Sequence, residues 1–168
     1  PELEKNDQYQ PLLFRFNNYD EATDLTPSDI FVQAIEGMAS QVEDLDAIPV
    51  AHVTLWQALK KLQLSNEKYA GGNFLLVFDQ FEEFFTYPEG TEDFAEELSD
   101  LLNSRVPKEF RKNLRRALAV DEELKNKLTE ERKEKILEPL HVKVVISIRS
   151  DRLSLLDQIK LYVPDILK

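Results

Sequence analysis

Three short apolar runs punctuate the chain, and each closes on polar side chains. PLLFRF (Pro11 to Phe16) precedes NNYDE, FLLVF (Phe74 to Phe78) precedes DQFEE, and VKVVISI (Val142 to Ile148) precedes RSD. Their length and their aromatic and β-branched content predict strands. FLLVF is apolar at every position, which predicts a central strand of a parallel sheet, covered on both faces. Between the strands the period lengthens to that of a helix. In LTPSDIFVQAIEGMASQV, Thr26 is placed to cap, Pro27 sits at the first helical position, and Ile30, Phe31, Ala34, Ile35, Met38 and Val42 share a face. After the loop EDLDAIP, a second helix is expected from His52 to about Leu64, with Leu55, Trp56, Leu59 and Leu62 on one side. SNEKYAGG ends it.

YPEGTED reads as a turn, and Phe94, Ala95, Leu98, Leu101 and Leu102 mark the helix that follows. From Pro107 to Leu140 the chain is charged, with a thin apolar stripe of Phe110, Leu114, Leu118, Leu124 and Leu128. This predicts an insertion of solvated helices, with a partner-binding lid as the alternative. Ser150 is placed to cap a last helix through LSLLDQIKLY, stopped before Pro164. Strands alternating with helices predict an α/β three-layer sandwich with a mostly parallel sheet. No repeat, low-complexity tract or interdomain linker interrupts it, so 1–168 reads as one domain with a helical insertion at about 107–140.

Composition narrows the function classes. The 168 residues include Asp+Glu 32 against Lys+Arg 21, a net charge of −11. That balance disfavours wrapping nucleic acid, which requires clustered positive charge. The absence of cysteine excludes disulfides, thiolate metal sites and cysteine nucleophiles. No apolar run reaches the roughly 18 residues of a membrane span, and PELEKNDQYQ lacks the apolar core of a signal peptide. The expectation is a non-membrane, cytoplasmic protein. A start at proline suggests a piece of something longer.

In parallel α/β sheets the carboxyl ends of the strands line the crevice where ligands bind. Neighbouring strands would therefore gather Asp79, Glu82 or Glu83, and Arg149 on one edge. An aspartate fixed by a buried strand suits Mg²⁺. A second carboxylate can orient or deprotonate an attacking water, and an arginine can meet developing phosphate charge.

LLVFDQFEEFFT resembles the Walker B segment of the STAND class of P-loop NTPases, in the branch whose signature runs apolar strand, D-Q-F-E-E, apolar pair. VVISIRSDRLSLL is similar to a later strand of that branch, which ends in arginine, a small residue and aspartate. The likeness extends over roughly Pro11 to Leu167, though its specificity rests on these two segments. It implies an ATP-binding, slowly hydrolysing switch core fused to or associated with effector and sensor domains, and able to homo-oligomerise. It also implies that Asp79 serves Mg²⁺, that Glu82 or Glu83 supports water activation, and that Arg149 senses phosphate. The family's loop, G-x-x-x-x-G-K-[ST], is missing. The four glycines stand at 37, 71, 72 and 90, and none precedes Lys-Ser or Lys-Thr. The resemblance therefore implies a partial NTPase domain, truncated at its N-terminal side, with weak or no binding of ATP and Mg²⁺ by these residues alone.

Two further readings stay open: a catalytically silent α/β interaction module using the charged helices, and a carboxylate-metal hydrolase using Asp79, Glu82 and Glu83. His52 and His141 stand apart and do not suggest metal ligation. Trp56 reads as core. Phe81, Phe84 and Phe85 read as packing for the sheet edge, and Tyr19 and Asp20 as the end of the first strand. Arg15, between two phenylalanines, is placed to cross the sheet toward a partner carboxylate, and its role stays open. Ser147 and Ser150 have no histidine pattern beside them to make a serine hydrolase.

Overall fold

The structure is a computed structural model that describes residues 8–17, 19–22 and 24–164. The polar lead before Gln8, Asn18 of the NNYDE loop and the far end of the family likeness at Leu167 lie outside these residues. The fold is α/β, with an open three-stranded sheet that is parallel throughout. Its strands are β1 (Gln10–Arg15), β2 (Asn73–Asp79) and β3 (His141–Ile146), in the order β1-β2-β3. All three predicted strands are present, and FLLVF is central as expected. β3 stops two residues short of the predicted Ile148.

Seven α-helices are described: α1 (Pro27–Glu36), α2 (Glu43–Asp46), α3 (Leu55–Ser65), α4 (Thr91–Leu102), α5 (Lys108–Val120), α6 (Glu122–Lys127) and α7 (Glu130–Leu137). The Thr26 hydroxyl accepts from the Asp29 amide while the Asp29 carboxylate accepts from the Thr26 amide, the reciprocal cap that the sequence encodes. α3 begins later than expected, at a second such box made by Thr54 and Gln57. The EDLD segment read as loop is the short helix α2. Met38 and Val42, assigned to the first helix, lie beyond α1: Met38 is exposed and Val42 caps α2.

The last segment, Ser150–Ile159, is 3-10 helix, and Ser150 does not cap it. Arg149 holds the cap position and makes no side-chain cap bond. Its apolar positions are sparse, with only Leu156 and Ile159 buried, so little packing favours the wider α turn.

The order β1-β2-β3 explains which face of the sheet is covered. Right-handed crossovers that always step in the same direction lay their helices on one side. Accordingly α1, α3 and α4 pack on one another, and α4 also packs on β3. The strand positions facing them, Leu12, Phe14, Phe74, Leu76 and Phe78, are buried. The opposite rank of Leu13, Val77 and Val145, aligned across the three strands, is open: Leu13 is 70% and Val145 49% exposed. Central placement thus did not bring burial on both faces. Two layers of the expected sandwich are present among the described residues.

The insertion lies on the far side of α3. Trp56, Lys60 and Gln63 form a second buried row on that helix; the Trp56 ring meets Phe110 of α5, and Lys60 reaches carbonyls at the end of α7. Phe110, Leu114, Leu124 and Leu128 of the predicted stripe are buried; Leu118 is half-buried, and Ile136 joins them.

Gly90, at φ +78°, precedes α4, and a Cβ built there would stand 2.8 Å from Thr26 Cβ. Gly90→Ala is expected to cost about 1 to 3 kcal/mol, from the left-handed backbone and the displaced cap of α1. Urea melts that leave the unfolding midpoint unchanged would refute this.

Candidate functional site

Because the sheet is parallel throughout, the carboxyl ends of its strands share one edge. Arg15 pairs in register with Asp79, and the ladder runs past β3: the Ser147 amide donates to Phe78 O at 2.7 Å, and the Phe81 amide donates to Ser147 O at 2.9 Å. Gln80, between Asp79 and Phe81, is held at φ 55° in the left-handed region. That turn is disfavoured for a residue with a Cβ, and such strain concentrates at functional sites. Here it folds DQFEE back over the edge into the 3-10 helix Phe81–Thr86.

Arg15 crosses to Asp79, as its flanking phenylalanines suggest. Its Nε donates to Asp79 Oδ2 at 3.1 Å, and a terminal nitrogen donates to the same oxygen. This hydrogen bond, with a smaller one from Ser147, holds the Asp79 carboxyl below the usual carboxylate range against the opposing effect of desolvation. Asp79 is therefore ionised at neutral pH and already answered by a cation.

Glu82 and Glu83 diverge. Glu82 Oε2 accepts from the Arg149 backbone amide at 3.4 Å, joining DQFEE to the RSD segment. Glu83 lies on the same 3-10 turn, where its carbonyl accepts from the Thr86 hydroxyl at 2.7 Å; its negative charge adds to the burial that raises Tyr87. The guanidinium of Arg149 turns to Asp151 at 3.0 Å. The edge thus gathers Asp79, Glu82 and Arg149, where the sequence left Glu82 and Glu83 open, but their charged ends pair with Arg15, an amide and Asp151 rather than with one another. Among the described residues, no group of three or more His, Cys, Asp or Glu is arranged to hold a metal ion.

The aromatics are structural. Phe81 and Phe84 are fully buried and stacked at 4.9 Å, which leaves neither ring free to stack on a base, and Phe85 packs partly buried against them. Trp56 is core as expected. His52 stands 3.9 Å from Glu97, a carboxylate that accepts from the Leu55 amide at the start of α3 and that burial raises. A cleft of about 770 Å³, lined in part by Leu98, Val144, Ile146 and Leu156 and by the polar Ser99, Asn103 and Arg105, opens beside β3 but does not include Asp79.

Sequence reasoning left Arg15 unresolved and passed over Lys60 altogether. The alternation Phe14-Arg15-Phe16 was the signal for Arg15: with both neighbours inward, it had to face the open side beside whatever ended the next strand.

Comparison with protein-family models, with curated proteins and with solved structures returned no match. No described helix is long and apolar enough to cross a membrane.

Proposed function

We propose that the chain is part of the ATP-binding and hydrolysing switch core of a STAND-type NTPase. The observation that carries this reading is the rank Arg15–Asp79–Ser147 at the carboxyl edge of a parallel sheet, with Glu82 tied to the start of RSD beside it. A single strand-end carboxylate suits Mg²⁺ held jointly with phosphate oxygens, which is how this ion is commonly bound beside nucleotides. Asp79 would take that ion, which would neutralise charge on the phosphates. Glu82 or Glu83 would direct the water, and Arg149 would leave Asp151 to face phosphate. Arg15 keeps Asp79 ionised and oriented in the meantime.

The open rank Leu13–Val77–Val145 beside this edge supports the same reading. It is the seat that a third layer requires, and a helix following a phosphate-binding loop would cover it in a full P-loop sheet.

In the natural protein that carries this chain, Asp79→Asn is expected to lower Mg²⁺-dependent ATP turnover by about 100-fold with the fold retained. Turnover within about twofold of the parent would refute the assignment. A second reading, a silent α/β interaction module, is favoured by one observation: Asp79 is already closed by Arg15. It requires that Mg·ATP leave the melting temperature of that protein unchanged. The carboxylate-metal hydrolase draws no support from the geometry: among the described residues no group of three or more such side chains is arranged to hold a metal ion.

A further inference from the structure

The outer faces of α4 and α5 carry opposite charges in matching patterns. On α5, Lys108, Arg111, Lys112, Arg115 and Arg116 recur at i, i+3, i+4, i+7 and i+8. At about 100° per residue this puts them in one arc about 140° wide. All five are exposed, while Phe110, Leu114 and Ala117 on the other side are buried. On α4, Glu92, Asp93, Glu96 and Asp100 fill an arc about 100° wide opposite buried Phe94, Leu98 and Leu101, with Glu92, Asp93 and Glu96 exposed. Like charges four residues apart disfavour a helix, so each arc works against the element that bears it.

Within one chain the arcs do not answer each other. Among the described residues, no ion pair joins a carboxylate of α4 to a cation of α5. Lys112 reaches Glu109 on its own helix, Asp100 meets Arg105 of the following loop at 3.7 Å, Glu97 turns inward to Leu55, and Glu92 bonds Tyr162. Lys108, Arg111, Arg115 and Arg116 have no ion-pair partner among the described residues.

We infer that α5 docks on α4 of a second copy of this chain, with the row Lys108–Lys112–Arg116 against the row Glu92–Glu96–Asp100. Both rows step by four residues, about 6 Å, over two helical turns, so three cations meet three carboxylates at equal intervals. Guanidinium and ammonium groups lying opposite carboxylates relieve the repulsion that each row carries alone. A nucleic-acid backbone fits less well, because a chain of net charge −11 repels a polyanion while supplying the complement itself. A membrane surface fits less well because the apolar side of α5 is buried and leaves only Val120 at the helix end exposed to insert. The two helices follow one another in sequence, so the contact closes as a pair when used in both directions and otherwise runs head to tail. This inference is independent of the NTPase reading.

Sedimentation equilibrium of the chain at about 0.02 M and about 0.5 M salt tests it. The expected result is association at low salt that weakens at least about tenfold at high salt, as exposed ion pairs are screened. Lys112→Glu/Arg116→Glu and Glu92→Lys/Glu96→Lys should each be monomeric, and an equimolar mixture of the two should associate again. Lys112→Gln/Arg116→Gln, checked by its melting curve, stands in if charge reversal unfolds the chain. A wild type that is monomeric at low salt overturns the inference. So does association that persists in both variants or strengthens with salt, which would place the contact on the open sheet face. Loss in the α5 variant alone, or binding of a short DNA duplex through α5 without self-association, would likewise overturn it.

Discussion

Phe16→Ala is expected to remove about 4 kcal/mol of folding stability. Phe16 is 1% exposed and lies just past β1, where its ring meets Phe78, Phe81, Phe84, Tyr87 and Phe94 with centroids 5.4 to 6.3 Å away. Those partners belong to β2, to the turn carrying DQFEE and to α4, so one side chain joins three elements. Truncation leaves a cavity that stiff rings cannot collapse into, and it removes one stacked and four edge-to-face contacts at once. The same region is held by the Tyr87 hydroxyl, which donates to Asn17 O at 2.9 Å, and by the Tyr19 amide, which donates to the Thr86 hydroxyl at 3.1 Å. The loss should therefore also loosen the Arg15–Asp79 pair one residue away. Urea unfolding of Phe16→Ala beside Leu13→Ala, whose side chain is exposed, checks the claim: the second should cost no more than about 0.5 kcal/mol. Equal losses in the two variants would mean that the sheet is not covered on the face assigned to it.

The contrast between Leu13 and Phe16 shows what was legible in the sequence and what was not. Strand existence followed from short apolar runs, and the start of α1 from Thr26, Pro27 and Asp29, because these signals act within a few residues. Which strand face is buried depends on where the crossovers run, and no local pattern in FLLVF records it. Leu75 and Val77 look as buried as Phe74 and Leu76 until the order β1-β2-β3 puts every described crossover helix on one side. The charged edge was partly legible. The strand ends named Asp79, Glu82 or Glu83, and Arg149, but the partner each chooses depends on register and on the left-handed turn at Gln80, which a glutamine does not advertise. Ser150 misled because a cap signal was read without the buried stripe that a helix needs behind it.

Lys60 was illegible for a related reason, since a lysine in QALKKLQ reads as solvent-facing. It is 0% exposed, because α3 is covered twice, by the sheet side and by the insertion, and Lys60 shares the second row with Trp56 and Gln63. Its ammonium donates to Gln63 Oε1 at 2.6 Å, to Glu138 O at 2.7 Å and to Lys135 O at 3.3 Å, so all three protons are used and the C-terminal end of α7 is capped. Burial nevertheless lowers its pKa from 10.5 to about 8, with the charge of Glu138 opposing the shift. The sign follows from proton binding. Below about pH 8 both the folded and unfolded chains hold the proton, and folding carries the full cost of the buried charge. Between about 8 and 10.5 the folded chain has lost the proton while the unfolded chain keeps it, so this residue's contribution to stability rises with pH, by about 3 kcal/mol across the window. Tyr19, Tyr87 and Tyr162 are raised and act in the opposite sense at the alkaline end, so the effect has to be read as a difference. Wild type measured against Lys60→Met by urea unfolding across this range cancels the tyrosines. The wild type should gain on the variant as pH rises. A difference that stays flat would mean that Lys60 keeps its ordinary pKa, and that the insertion opens around α3 far enough to let water reach the ammonium.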